Sequence, residues 1–208
     1  LRHALDMTSG VRYVEDYEAL DSDMASTDVA SGWRPAKPDV PYFHCIWDQI
    51  LSLTETVREH GKVFEYRSIE TEVLAHCMER VTQTPLAELI SHELWQPLGV
   101  EESACFTVDG AGYPLADGGF NATLRDYARF GEMLCNDGTA NGQQIVPKAW
   151  IADSLNADPS IFSDTNNMDL DNGAYRNQFW IRDVDRRILI ARGVFGQIIY
   201  ADLDNRVT

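Results

Sequence analysis

Apolar residues at Ile69, Val73, Leu74, Cys77, Met78 and Val81 recur at the spacing of one helical face. The pattern predicts a helix over about 69–83. Directly before it stands Phe64-Glu65-Tyr66-Arg67-Ser68, which puts Tyr66 and Ser68 two apart at the mouth of a well-anchored helix. A rigid element of that kind fixes the geometry of the side chains it carries. Read alone, Tyr66 is either a catalytic side chain or a core or rim aromatic whose hydroxyl is satisfied by a neighbour.

The same patterning predicts the other elements. Residues 1–10 read as the last turn of a helix, with Leu1, Ala4 and Leu5 on one face and Gly10 as its stop. Residues 11–41 show little periodicity and carry acidic groups and three prolines. Such a segment is either a lid or binding loop anchored by Tyr13, Tyr17 and Trp33, or a solvated connector. Ile46, Ile50, Leu51 and Leu53 predict a helix over 43–56, and Pro85 opens one over 86–95. A short strand is expected at 106–108 and a tight turn at 117–121. Thr123 with Asp126 three residues on resembles a capping box, starting a helix that Asp137-Gly138 ends. Pro147 opens a short helix over 148–155, and residues 156–175 read as a polar loop. Runs at 178–182, 187–191 and 197–202 predict a three-stranded antiparallel meander. Helices first and strands last give an α+β class. The expected organisation is part of a single domain, mostly helical over about 1–155 and stranded over about 176–208.

Charge narrows the function. The 208 residues carry a formal net charge of −16, which repels phosphate backbones and argues against nucleic acid as a partner. No apolar run reaches the roughly 18 residues of a membrane span, so no membrane partner is expected. Four cysteines spaced about thirty apart, with no C-x-x-C, read as reduced, buried thiols and lean towards the cytoplasm. Leu1 falls within a predicted helix end and Thr208 comes directly after a strand-like run, which suggests a piece of a longer protein, incomplete at both ends.

Several motifs fail on inspection. His92-Glu93-Leu94-Trp95-Gln96 has glutamine where a zinc helix needs its second histidine. Gly61-Lys62 lacks the earlier glycine of a P-loop, and Asp169, Asp171 and Gly173 resemble a calcium loop with Trp180 in place of the closing glutamate. Asn121-Ala122-Thr123 is a glycosylation sequon that equally serves as turn and cap.

Taken in order, five stretches resemble one family. They are Leu5-Asp6-Met7-Thr8-Ser9-Gly10, Phe64 to Ser68, Trp95-Gln96-Pro97-Leu98-Gly99, Asp117 to Asp126, and Gly193-x-x-Gly196-Gln197. The chain resembles the serine β-lactamase and penicillin-binding-protein family in its esterase and amidase branch, most nearly the 6-aminohexanoate-dimer hydrolases. The resemblance implies a β-lactamase/DD-peptidase-like fold and acyl transfer from linear amides or carboxylic esters through a serine in S-x-x-K. It implies that Tyr66 shares the proton shuttling, with Ser68 the third position of its motif. A phenol is a poor base unless a nearby ammonium lowers its pKa.

Arg192-Gly193-Val194 matches the third motif of the family, usually K-T-G, with arginine for lysine. The Val194 N–H is then one of two oxyanion donors. Trp180 matches a tryptophan lining the site, and Tyr17, with Tyr13 as the alternative, matches a tyrosine that closes over substrate, so the resemblance implies Tyr17, Ser68, Trp180, Arg192 and Gly193 as substrate-binding residues, with no metal and no organic cofactor. A homodimer is admitted. No serine here has lysine three residues later, so the nucleophile is expected outside these residues, with this chain alone inactive. A carboxylesterase, a β-lactamase or DD-peptidase, and a non-catalytic binding protein are the alternatives.

Overall fold

A computed structural model describes residues 1–162, 170 and 172–208. Asp169 and Asp171 of the calcium-like run, and residues 163–168 of the polar stretch before them, lie outside the described residues. The core is an antiparallel sheet of four strands in sequence order: β5 (Ala174–Arg176), β6 (Phe179–Ile181), β7 (Ile188–Arg192) and β8 (Ile198–Asp202). The meander has one strand more than expected, because β5 is only three residues long and emerges from a polar stretch. Its turn to β6 puts Asn177 and Gln178 both at positive φ, the arrangement of a two-residue hairpin loop. Gln178 tolerates that conformation because its surroundings bind it: its backbone N–H donates to Leu5 O and its Oε1 accepts from Thr71.

The two faces of the sheet do different work. Ile181, Leu189 and Ala201 join Met133, Leu134 and Cys135 of α6 (Leu124–Cys135) in one core cluster. Trp180, Ile188 and Ile190 alternate with them and join Met7, Phe64, Leu170 and Tyr175 on the opposite face. Tyr66 is packed against that second cluster.

The helix that carries the site, α4 (Ile69–Thr82), forms as the periodicity predicts and ends at Gln83 in the left-handed region. Thr123 caps α6 as expected, its Oγ1 accepting from the Asp126 N–H at 3.2 Å. The box is not reciprocal, because the Asp126 carboxylate accepts instead from the Glu101 and Glu102 N–H groups.

Elsewhere the elements differ from expectation. The 43–56 helix is confined to α3 (Ile46–Ser52). The 86–95 helix is α5 (Leu86–Ile90) running into a π turn, Ser91–Trp95, in which the Gln96 N–H reaches back to Ser91 O. The strand near 106 is β1 (Cys105–Phe106), paired with β2 (Phe120–Asn121). Cys105 is exposed and Cys77 only half-buried, so burial describes two of the four free thiols, Cys45 and Cys135. Within 11–41 lies an eight-residue helix, α2 (Asp23–Ala30), capped by Ser22 and packed on α3. Its buried residues are Met24, Ala25, Thr27 and Ala30, too small and polar a set to stand out as an apolar stripe.

Two backbone arms complete the frame. The 8–11 arm runs beside 55–61, joined by Val57 N–H to Gly10 O and by Gly61 N–H to Thr8 O, both 2.9 Å. Gly10 does not stop the first helix, α1 (Arg2–Leu5), which ends at Asp6. It has φ +72°, and a Cβ there would collide with the Arg58 carbonyl oxygen. Among the described residues, no helix is long and apolar enough to cross a membrane.

Candidate active site

Tyr66 lies half-buried one turn before α4, with its ring stacked on Trp180 at 5.4 Å between centroids and 23° between planes. Tyr175 meets it edge-on at 6.2 Å, and Phe64 and Phe162 pack around Trp180. Offset and edge-on aromatic contacts of this kind hold ring orientation as well as burying area. Trp180 pairs in register with Ile190 on β7, and strand alternation carries Arg192 onto the same face two residues on. The chain then turns. The Gly193 N–H donates to Gln197 O at 2.8 Å and the Gly196 N–H to Gly193 O at 3.1 Å. The Val194 N–H donates to no acceptor among the described residues, and the residue is 55% exposed. Arg192 makes no ion pair among the described residues.

The 11–41 segment closes on the other side. Glu15 Oε2 accepts from both the backbone N–H and the Oγ of Ser68, at 2.9 and 3.1 Å. Its Oε1 accepts from the Tyr17 hydroxyl at 2.6 Å. One carboxylate thus fastens the loop tyrosine to the first turn of α4. Ser68 is buried, with its hydroxyl committed to Glu15 and Met24 Sδ. Tyr17 is 42% exposed, whereas Tyr13 is buried and bonded to Thr27. Arg34 pairs with Asp28 at 2.9 Å, and the Trp33 ring lies over Gly118.

Glu72 and Asp117 form a carboxyl pair beside this group. The Asp117 N–H donates to Glu72 Oε1 at 3.0 Å. Burial pushes Glu72 up to about 9 with Asp117 adding to the rise, so Glu72 keeps its proton at neutral pH. Burial also raises the Tyr66 phenol, and the nearby Glu15 and Asp117 charges raise it further. Within these residues Tyr66 holds its proton firmly, because the charges around it are negative. The sequence points to Tyr66, Ser68, Trp180, Tyr17 and 192–194 and gives no signal for Glu15 or Glu72. Glu15 lies 53 positions from Ser68, and no short-range signal links them.

Among the described residues, no group of three or more His, Cys, Asp or Glu is arranged to hold a metal. A cleft of about 500 Å³ lined by Arg129, Glu132, Asn136, Asp137 and Asn141 shares no residue with this site.

Helices against an antiparallel sheet, with a tyrosine before one helix stacked on a tryptophan of the sheet, place the chain among proteins with the serine β-lactamase and penicillin-binding-protein fold. The chain belongs to the beta-lactamase family, whose model matches residues 1–208. It is 32% identical over 202 residues to the 6-aminohexanoate-dimer hydrolase of Paenarthrobacter ureafaciens, covering 95% of this chain and 50% of that protein. It superposes with a TM-score of 0.86 and 30% identity on the solved structure of a protein assigned as a 6-aminohexanoate-dimer hydrolase from Bacillus anthracis, covering 99% of this chain and 53% of that one. The fold extends to EstCE1, a hydrolase with promiscuous acyltransferase activity, at a TM-score of 0.69 and 17% identity, with 99% and 64% covered. The chain spans about half the length of the curated relative it matches.

Proposed function

We propose that these residues form the tyrosine and oxyanion-loop part of a serine hydrolase acting on linear amides or carboxylic esters, of the 6-aminohexanoate-dimer-hydrolase kind. The observation that carries the reading is Tyr66 stacked on Trp180, on the sheet face that leads to Arg192 and the unbonded Val194 N–H.

In this reading a serine from an S-x-x-K segment outside the 208 residues attacks the substrate carbonyl. Tyr66 passes the proton, and Val194 N–H binds the developing oxyanion. Burial and negative neighbours keep the phenol protonated here, so the reading requires a cation, the lysine of that segment, to lower it. Arg192 and Gly193 shape the turn, Trp180 and Tyr17 contact substrate, and Ser68 anchors the helix mouth. The test is hydrolysis of p-nitrophenyl acetate and of 6-aminohexanoate dimer by this chain and by an upstream-extended chain. Activity only in the longer form, lost in Tyr66→Phe, is the expected result. A folded longer form without activity would overturn the reading in favour of a binding protein on the same fold.

A further inference from the structure

Arg67, the residue between Tyr66 and Ser68, is 1% exposed and is the largest of the fully buried side chains. A buried guanidinium is rare unless its surroundings bind it. Its Nη2 donates to Glu65 Oε2 at 2.7 Å and its Nη1 to the Glu65 carbonyl at 3.2 Å, one peptide before Tyr66. The same Nη1 lies 3.9 Å from Glu70 Oε1, in the first turn of α4. Glu70 is itself buried, and its Oε1 accepts from Ser9 Oγ at 2.5 Å. Two residues before Ser9, the Met7 carbonyl accepts from the Glu65 N–H at 2.9 Å. These contacts close a circuit, Met7 to Glu65 to Arg67 to Glu70 to Ser9, with Tyr66 inside it. Arg67 Nε and Glu70 Oε2 have no hydrogen-bond partner in the circuit or elsewhere among the described residues. The pair is therefore under-satisfied.

We propose that Glu70 is a positioning residue for Tyr66: acting through Arg67 on one side and Ser9 on the other, its carboxylate holds the turn that lays the phenol on Trp180. This rests on the reading of Tyr66 as the proton-shuttling group.

Charged and polar groups from several elements face Glu70. Arg67 faces it from its own turn, with Glu65 and Arg58 behind; Glu15 comes from the loop, Tyr175 from β5, and Ser9 with His60 on its carbonyl from the 8–11 arm. Burial pushes the Glu70 carboxyl up to about 7, with the Ser9 bond and Arg67 pulling against it and Glu15 adding to the rise. When Glu70 takes a proton, the Arg67 guanidinium keeps only Glu65, which Arg58 also claims, and the circuit opens at its Arg67–Glu70 edge.

The test uses the 208-residue chain labelled with ¹³C-tyrosine. The Tyr66 ring signals are assigned by their loss in Tyr66→Phe and shifted by the Trp180 ring current. Titration from about pH 5 to 9 is expected to move them with a midpoint near 7 in the natural chain. In Glu70→Gln, which keeps the shape and the Ser9 bond, they are expected to stay fixed, and His60→Asn is expected to leave the midpoint in place. Ser9→Ala removes a contact that pulls the carboxyl down, so the midpoint moves to higher pH; it also serves if Glu70→Gln fails to fold by circular dichroism. Signals that titrate alike in Glu70→Gln, a flat profile in the natural chain, a midpoint lost in His60→Asn, or a midpoint unmoved in Ser9→Ala would each overturn the proposal. No turnover is measured, so failure of the hydrolase reading leaves these outcomes untouched.

Discussion

Replacing Glu72 with glutamine is expected to flatten the fall of stability with rising pH. Glu72 is 2% exposed, and its carboxyl is raised from about 4.5 in the unfolded chain to about 9 in the folded one. A carboxyl raised in this way is protonated when folded and ionised when unfolded across that window. Its stabilisation is complete below the unfolded value and is lost as pH climbs towards the folded one. One proton more on the folded state gives a slope of about −1.4 kcal/mol per pH unit. Glu70, raised to about 7, contributes a similar slope only below that value, so the interval from about pH 7 to 8 belongs mainly to Glu72 and its partner Asp117.

Glutamine keeps an oxygen for the Asp117 N–H and offers a donor to the Asp117 carboxylate, imitating the protonated acid without titrating. Urea unfolding followed by circular dichroism at several pH values in that interval gives the slope directly. The natural chain is expected to lose about 1.4 kcal/mol more than Glu72→Gln per pH unit. Equal slopes in the two proteins would refute the reasoning, because the pair would then hold no extra proton.

Two further substitutions test the frame around the site. Thr123→Ala removes the N-cap of α6 and is expected to cost about 1 kcal/mol in urea unfolding, with no change in Trp fluorescence near Tyr66. Phe64→Ala opens a cavity beneath the Tyr66–Trp180 stack, with an expected cost of about 3–5 kcal/mol by the same assay; a loss below about 1 kcal/mol would mean that the cluster is loosely packed.

What was legible in the sequence followed the strength of local periodicity. The apolar stripe of α4 located the helix and with it Tyr66 and Ser68, and the cap at Thr123 located α6. Helix α2 was hidden because Ala25, Thr27 and Ala30 pack closely without being strongly apolar. The buried role of Arg67 was hidden for a related reason: an arginine reads as surface until its long-range partners are known. Glu15, Glu70 and Glu72 were three acidic residues among many, and what distinguishes them is burial against residues distant in sequence. The five spaced motifs carried the family, while the contacts that support them required coordinates.

Gly10 acts in this molecule as a spacer with no material in it. The 8–11 arm runs against the 55–58 arm so closely that only a hydrogen fits between Gly10 and the Arg58 carbonyl, and Met7, three residues before, holds Glu65 next to the site tyrosine. A single methyl at position 10 would be a wedge between them, prising apart two stretches of chain that share Arg58, Glu65 and Ser9 with the Tyr66 turn. The gap between the arms is therefore a dimension of the candidate site, set by a residue that contributes no side chain to it.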